Sequence, residues 1–562
     1  MRRIWLESYP AGVPADVDVH EYASLNDLLQ RAAERFAAQT AFSCLGGSLS
    51  YAEVEQLSRQ FAIALQRHLS LARGECIAIM LPNLLQYPVA VFGALRSGLV
   101  IVNVNPLYTA DELAHQLADS GATTIVVLEN FAHIVQQALD RTRVRWVIVT
   151  RAGDLLPFVR RQLVNGAVRY VKRAVPRWSI PGALRWRSLL ARGRAKNLPE
   201  MAIDSGDTAF LQYTGGTTGR AKGAVLTHGN MLANVEQVAA WVSPVLKPGQ
   251  ETVITALPLY HIFALTANLL VFVKLGGHNV LIPDARDLRG LIATLARTRF
   301  SSITGVNTLF KALLDAPGFA KVAAASRGVL KAAVSGGMSV EQNVAERWQR
   351  AMGVPLVEGY GLTEASPVVC ANRLDSAGFT GKLGLPLPST HVRIERDDGS
   401  EAAMDESGEI CVSGPQVMRG YWNAPDETAQ AFTAEGWLRT GDIGRIDAGG
   451  YVTFVERRKD VIVVSGFKAY PGEIESVAMQ HPGVRDAAAA AVPDERTGDA
   501  VALFVVKADP GVTAADIREH CARHLTGYKR PKFIEFREQL PKSALGKTLR
   551  RTLVPEDRPA HV

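Results

Sequence analysis

Short, predominantly apolar runs alternate with helix-patterned stretches over roughly the first 310 residues, and this alternation limits the possible folds more than any other feature. The runs at 77–80, 101–104, 124–128, 146–149 and 253–257 are too short for helices and lack a polar face. Strands of that kind must be covered on both sides, as in parallel sheets flanked by helices. Helical stretches such as 111–120 and 288–298 supply the cover. Past about residue 380 the runs shorten and turn signals appear, at Asp397-Asp398-Gly399 and at Asp447-Ala448-Gly449-Gly450, which predicts a smaller antiparallel subdomain. The charge run Glu456-Arg457-Arg458-Lys459-Asp460 marks the expected domain boundary. The predicted architecture is therefore α/β: a large N-terminal domain (1–456) of helix-covered parallel sheets with a smaller β subdomain, then a small α+β C-terminal domain (457–562). Within the latter, Thr513 and Asp516 have capping-box spacing for a helix running to about His524.

Composition narrows the partners. Five scattered cysteines form no CxxC pair, so neither a disulfide framework nor a zinc site is indicated, and a reducing cytosol fits. The first residues reach Glu7 before any apolar run forms, which argues against an export signal. Arg96 and Lys274 interrupt the longest apolar stretches, short of the ~20 residues that a spanning helix needs. The net charge of +7 is mostly interleaved with acids, so nucleic acid is not expected. Residues 155–199 differ: they contain no Asp or Glu but many Arg and Lys, a composition that suits an anionic surface. Read as a helix, 155–174 places Leu156, Val159, Leu163, Ala167, Tyr170 and Ala174 on one face and Arg161, Arg169, Lys172 and Arg173 on the other. Two readings stay open: that face docks on the cytoplasmic membrane surface, or it packs on the core.

The stretch Tyr213-Thr214-Gly215-Gly216-Thr217-Thr218-Gly219-Arg220-Ala221-Lys222-Gly223 directly follows an apolar strand signal at 209–211. Glycines there let backbone N–H groups and threonine hydroxyls approach phosphate oxygens. It lacks the Gly-Lys-Ser/Thr ending of a Walker A loop. The Gly546-Lys547-Thr548 sequence near the end fails the same test, with Pro541 where the first glycine belongs.

These residues resemble the phosphate-binding loop of the adenylate-forming (AMP-binding) superfamily, and the chain is similar to bacterial long-chain fatty acyl-CoA ligases over nearly its whole length. Further motifs follow in the family's order: Leu257-Pro258-Leu259-Tyr260-His261-Ile262-Phe263, Ser335-Gly336-Gly337-Met338, Glu358-Gly359-Tyr360-Gly361-Leu362-Thr363-Glu364, Trp437-Leu438-Arg439-Thr440-Gly441-Asp442, Arg457-Arg458-Lys459-Asp460 and Pro541-Lys542-Ser543-Ala544-Leu545-Gly546-Lys547. The resemblance implies ATP, Mg²⁺ and coenzyme A. It places Tyr213 to Gly219 and Lys222 around phosphate, and Gly336, Gly337, Gly359, Tyr360, Gly361 and Leu362 around the adenylate. Thr363 would meet the α-phosphate. Glu364 and Thr217 would hold Mg²⁺, which is bound by few carboxylates jointly with phosphate oxygens. Asp442 and Arg457 would reach the ribose, Lys459 is the expected hinge of a mobile C-terminal domain, and Gly466 would lie beside pantetheine. Lys547 is the expected catalytic cation, offsetting the charge of a carboxylate attacking phosphorus. Tyr260 and His261 are expected to gate or pack the acyl channel. The chain departs from the family at Glu456, where Asp is common, and at Lys468.

The implied activity is ATP-dependent conversion of long-chain fatty acids to acyl-CoA through acyl-AMP, at the cytoplasmic membrane face. An acyl-AMP ligase serving a carrier protein and a non-catalytic nucleotide-binding scaffold remain the alternatives. A homodimer is compatible with each.

Overall fold

The computed structural model describes residues 3–194, 197–198, 201–214, 221–465, 467–494, 496–542 and 548–554. Two compact units divide the chain. One comprises Trp5–His391 and Val412–Leu438; the other is built on Val392–Cys411 and the chain from Arg439 onward. This division differs from the 456/457 boundary, because the strand Val452–Arg457 is paired with Leu438–Ile446, register Asp442↔Arg457.

The large unit holds two sheets. The seven-stranded sheet runs Leu184–Arg185, Trp146–Thr150, Thr124–Leu128, Cys76–Met80, Val100–Asn103, Thr208–Thr214 and Lys222–Thr227. It is parallel up to the last pair, which is antiparallel. The nine-stranded sheet has a parallel centre formed by Leu356–Gly361, Ala332–Gly336, Ser302–Gly305, Thr252–Thr255, His278–Leu281 and Thr40–Cys44, with antiparallel strands at both edges. The predicted strands fall where the apolar runs lie. The run at 253–257 ends as a strand at Thr255, after which the chain turns into the Tyr260–His261 segment. Helices cover the sheets as their apolar spacing requires, with sharp starts where a side chain caps them. Ser50 and Glu53 form one capping box and Thr109 and Glu112 another.

The smaller unit holds a four-stranded sheet (His391–Glu395, Gly408–Ser413, Leu438–Ile446, Val452–Arg457) and a five-stranded sheet centred on the long hairpin Val484–Asp494 and Gly498–Lys507. The helix predicted from Thr513 is Ala514–His524, and the capping box is present.

Residues 155–174 correct the continuous helix expected there. Pro157 sets the start, so the α-helix is only Phe158–Gly166, followed by a wider π-type turn at Ala167–Val171. Arg173 has φ +48, which ends the helical path. Leu156 precedes the helix and is buried, whereas Val159, Leu163 and Tyr170 point to solvent. Arg169 is not on a free basic face: with Arg151 and Arg185 it surrounds the buried carboxylate of Glu129, at 3.2, 3.1 and 3.4 Å respectively. Replacing Glu129 with Gln leaves three guanidiniums without their shared anion. Because those arginines are partly solvated, the cost should be about 1–2 kcal/mol. The variant should melt a few degrees lower, and trypsin should cut faster between Arg160 and Arg173; an unchanged digestion pattern would mean that Glu129 does not anchor this segment.

Candidate active site

The threonine- and glycine-rich stretch has a defined stem. Strands Thr208–Thr214 and Lys222–Thr227 form a hairpin in which Tyr213 faces Gly223 and Thr214 faces Lys222. Gly215, Gly216, Thr217, Thr218 and Gly219 lie outside the described residues, as do Gly466 and Lys547. Tyr213 anchors the stem: its hydroxyl donates to Asp119 Oδ2 at 2.5 Å, and burial with that bond pushes its acidity far below the ordinary phenol's. A side chain at Gly223 would press on the Tyr213 ring, with a Cβ at 3.1 Å from it. Asp119 is held in turn, since its backbone oxygen accepts from Trp422 Nε1 and Asn423 Nδ2, both at 3.1 Å.

The second hairpin strand leads to the acidic centre. Ala224 bridges to Tyr421, whose hydroxyl donates to Glu364 Oε1 at 2.7 Å. Lys222 Nζ stands 5.6 Å from the Tyr421 ring centre and 3.5 Å from Glu427. Glu364 lies in the turn Thr363–Ala365 just past the strand Leu356–Gly361, and its backbone oxygen accepts from Met418 N at 2.7 Å. The strand carrying Tyr360 needs Gly361, because a Cβ there would lie 2.0 Å from the Pro367 carbonyl oxygen. Tyr421 has no distinctive sequence signal of its own; only its place beyond the family's adenylate motif could have suggested a link to Glu364.

Adjacent strands bring Ser335 opposite Glu358 and Gly336 opposite Gly359. The Phe263 ring lies over Gly336, where a Cβ would come within 2.9 Å of it, so the aromatic segment and the Gly336-Gly337 loop pack together. Glu358 accepts from Val340 N at 2.9 Å through one oxygen, while its other oxygen and the Ser335 hydroxyl are buried with no hydrogen bond among the described residues. Burial pushes the Glu358 carboxyl up to about 7.

The Tyr260–His261 segment is held from below by buried amides. Asn83 donates to Thr255 O and Leu257 O and accepts from Leu259 N. Tyr87 donates to Leu259 O, and Gln212 donates to Tyr260 O at 2.8 Å. Burial pushes the Tyr260 hydroxyl up to about 12 and the His261 imidazole down to about 4, so both are neutral near pH 7. His261 Nδ1 accepts from Phe263 N at 3.3 Å and caps the short helix that follows.

In the smaller unit, Asp442 is buried and ion-paired to Arg457 (Nε–Oδ1 2.7 Å), so the two expected ribose contacts adjoin one another. Lys459 lies in the turn Arg458–Asp460. Arg550 is enclosed by Glu456, Asp460 and Glu475 at 3.2, 3.0 and 2.9 Å. Burial works against its charge, but the three carboxylates more than offset that and hold the guanidinium above its usual range. The Glu456 departure has a use here. Its carboxylate also accepts from Gly472 N at 2.6 Å and Arg457 N at 2.9 Å. Lys542 pairs with Asp486 at 2.6 Å. No cluster of three or more His, Cys, Asp or Glu suited to a metal occurs among the described residues. Glu364 nevertheless suits a cation shared with phosphate, since its second oxygen makes no hydrogen bond among those residues.

The family described as AMP-binding enzyme matches residues 29–422, and its C-terminal domain matches 473–547. A long-chain-fatty-acid–CoA ligase of Salmonella typhimurium is 51% identical over 558 residues, covering 99% of both chains. One of Haemophilus influenzae is 46% identical over 567 residues, covering 100% of both. Among solved structures, ATP-bound MatB from Rhodopseudomonas palustris superposes with a TM-score of 0.79 at 26% identity, covering 94% of this chain and 98% of that one.

Two outcomes follow from this geometry. Tyr421→Phe removes a hydrogen bond to a charged group, worth ~1.5 kcal/mol, and should slow ATP–pyrophosphate exchange about tenfold. Exchange at the wild-type rate would show that Glu364 keeps its position without Tyr421. The second outcome concerns pH. A carboxyl whose folded-state pKa lies above its unfolded value contributes stability that is present below the unfolded value and lost as pH rises through about 7. Glu358→Gln should therefore gain on wild type in thermal midpoint between about pH 5 and about pH 8.5. A constant difference across that range would remove Glu358 as the titrating group.

Proposed function

Because this chain belongs to the AMP-binding enzyme family, we propose that it performs both half-reactions of a long-chain fatty-acid–CoA ligase. The observation that carries this reading is the likeness to long-chain-fatty-acid–CoA ligases along the whole chain. ATP and CoA are its co-substrates. In the first half-reaction a fatty carboxylate oxygen attacks the α-phosphorus of ATP, and pyrophosphate leaves with the bond it breaks. In the second, the CoA sulfur attacks the acyl carbon, its proton passes to solvent, and AMP leaves.

The roles assigned to the residues follow from their chemistry. Thr214 to Gly219 and Lys222 surround the phosphates; Gly336, Gly337, Gly359, Gly361 and Leu362 border the adenylate, and Tyr360 offers its ring to adenine. Thr363 donates to the α-phosphate. Asp442 accepts from ribose hydroxyls, and Arg457, already its ion-pair partner, lies within reach of the same sugar. Glu364 and Thr217 would hold Mg²⁺ with phosphate oxygens; bound there, the ion would offset phosphate charge. Tyr421 and the Asp119–Tyr213 bond are positioning contacts. Tyr260 and His261, held neutral, act as a gate rather than as proton carriers. Lys547 supplies positive charge during adenylation. Residues 457–562 are proposed to swing about Lys459 afterwards, withdrawing Lys547 and bringing Gly466 to the pantetheine.

No described helix is long and apolar enough to cross a membrane. We place the enzyme in the cytoplasm, in peripheral contact with the membrane that holds its substrate.

A CoA-dependent AMP-release assay over short to very long acids tests the activity, with release only on long chains the expected result. Lys547→Ala should lose at least ~10²-fold in acyl-AMP formation, the usual scale for one preorganised donor, while converting supplied acyl-AMP to acyl-CoA at the wild-type rate. Equal losses in both half-reactions would overturn the withdrawal of Lys547.

A further inference from the structure

We propose that residues 157–173 are the element that docks on an anionic lipid bilayer, with Phe158, Val159, Leu163, Tyr170 and Val171 entering the headgroup boundary. The proposal rests on the peripheral-membrane reading above and deepens it by naming the surface.

Those five side chains are 66–79% exposed, and they account for five of the eleven large hydrophobic side chains that are exposed among the described residues. Apolar groups so concentrated on one short element mark a contact surface. The element is firmly attached beneath. Leu156 is buried, Val164 packs on the core, and Asn165 accepts from Gly153 N at 2.8 Å. Arg169 reaches Glu129 at 3.2 Å, Asn130 donates to Ala174 O at 2.8 Å, and Arg160 donates to Gly46 O. The fold therefore holds this apolar side outward rather than leaving it to collapse inward.

Charge selects the occupant. Residues 155–199 contain no acid, and Arg160, Lys172, Arg173 and Arg177 are exposed along the segment. The acids that face it are already engaged. Glu129 is enclosed by three arginines, Asp154 accepts from Thr150 and from Arg151 N, and Asp284 is paired with Arg286 at 2.8 Å. Apolar side chains flanked by cations, on a short helix with few residues buried beneath it, match a surface that is anionic outside and hydrocarbon within. A second copy of this chain would bring like charges together.

Two variants separate the element from the reading it rests on. The first is Phe158→Gln with Leu163→Gln and Val171→Gln. The second is Lys172→Gln with Arg173→Asn and Arg177→Gln, Asn being chosen because position 173 has a left-handed backbone. Sedimentation with vesicles of phosphatidylcholine, with and without phosphatidylglycerol, should show wild type partitioning preferentially to the anionic vesicles. Each variant should bind them at least ~10-fold more weakly, the second with a flatter salt dependence. Thermal midpoints and acyl-CoA formation from detergent-dispersed acid should match wild type. An independent measurement uses Phe158→Cys carrying an environment-sensitive dye; all five native cysteines are buried, so the label is selective. Its emission should shift to the blue on anionic vesicles. If wild type ignores both vesicles, the peripheral reading itself fails. If wild type binds but both variants bind equally well, or the dye does not shift, the reading stands and this element is overturned. Loss of a wild-type dimer in the variants, with vesicle binding intact, would likewise overturn it in favour of a second copy.

Discussion

Backbone groups at the ends of buried parallel strands have lost water and must find partners, and beyond the strand Thr252–Thr255 that requirement is met by one side chain. Asn83 satisfies Thr255 O, Leu257 O and Leu259 N at once, just where the strand Thr252–Thr255 gives way to the Tyr260–His261 segment. Tyr87, Asn103 and Gln212 extend the same relay: Tyr87 donates to Asn103 and Leu259 O, Asn103 to Gln212, and Gln212 to Tyr260 O. Every member is buried, so a lost bond leaves a polar group without water or partner, at ~1–3 kcal/mol each. The relay begins in one sheet and ends on the backbone of the other. Phe263 then carries the constraint on to Gly336, and neighbouring strand register carries it to Gly359 beside Tyr360. The shape of the Tyr260–His261 segment and of the Gly336–Gly337 loop is thus set by the same few amides.

The smaller unit uses charge where the larger one uses amides. Arg550 draws together Glu456 and Asp460, which flank the expected hinge residue Lys459, and Glu475, which lies on the helix Pro471–Met479. Glu456 is buried and its carboxyl is pushed up by burial, against the pull of Arg550 and the N–H groups of Arg457 and Gly472. A shorter Asp at 456 would not span to all of these. Three positions after Lys547, the proposed catalytic cation, Arg550 therefore ties this part of the chain to the strand that carries Arg457.

Much of this was legible in the sequence wherever periodicity or a local motif governs. The strand Thr124–Leu128 and the helix Ala514–His524 follow directly from an apolar run and a capping box, because both are local properties of the chain. The long-range partners were not legible. Nothing local to Arg550 reveals its carboxylate partners, which lie 75 to 94 residues away. Arg169 was assigned to a solvated face for the same reason; its partner Glu129 lies 40 residues upstream. The helix of 155–174 was overextended because apolar spacing continued through Pro157 and Arg173, where the backbone could not. Tyr421 was missed because its importance comes from a bridge to Ala224, a tertiary event with no pattern in its own neighbourhood.

The ionisation states of the large unit limit what chemistry its side chains can contribute. His261, at about 4, and Tyr260, at about 12, are both neutral across the physiological range and have no proton to exchange readily. A fatty carboxylate is already ionised there, and a thiol near pKa 8.5 can lose its proton to solvent, so neither half-reaction needs a protein base. The remaining difficulty is electrostatic: an anion must approach a polyanion, and charge must then move onto pyrophosphate or AMP. Cations and oriented donors can meet that need, and neutral side chains at 260 and 261 add no charge that would compete with them. On the proposed reading, a histidine held neutral at 261 leaves that work to the cations and donors around the phosphates.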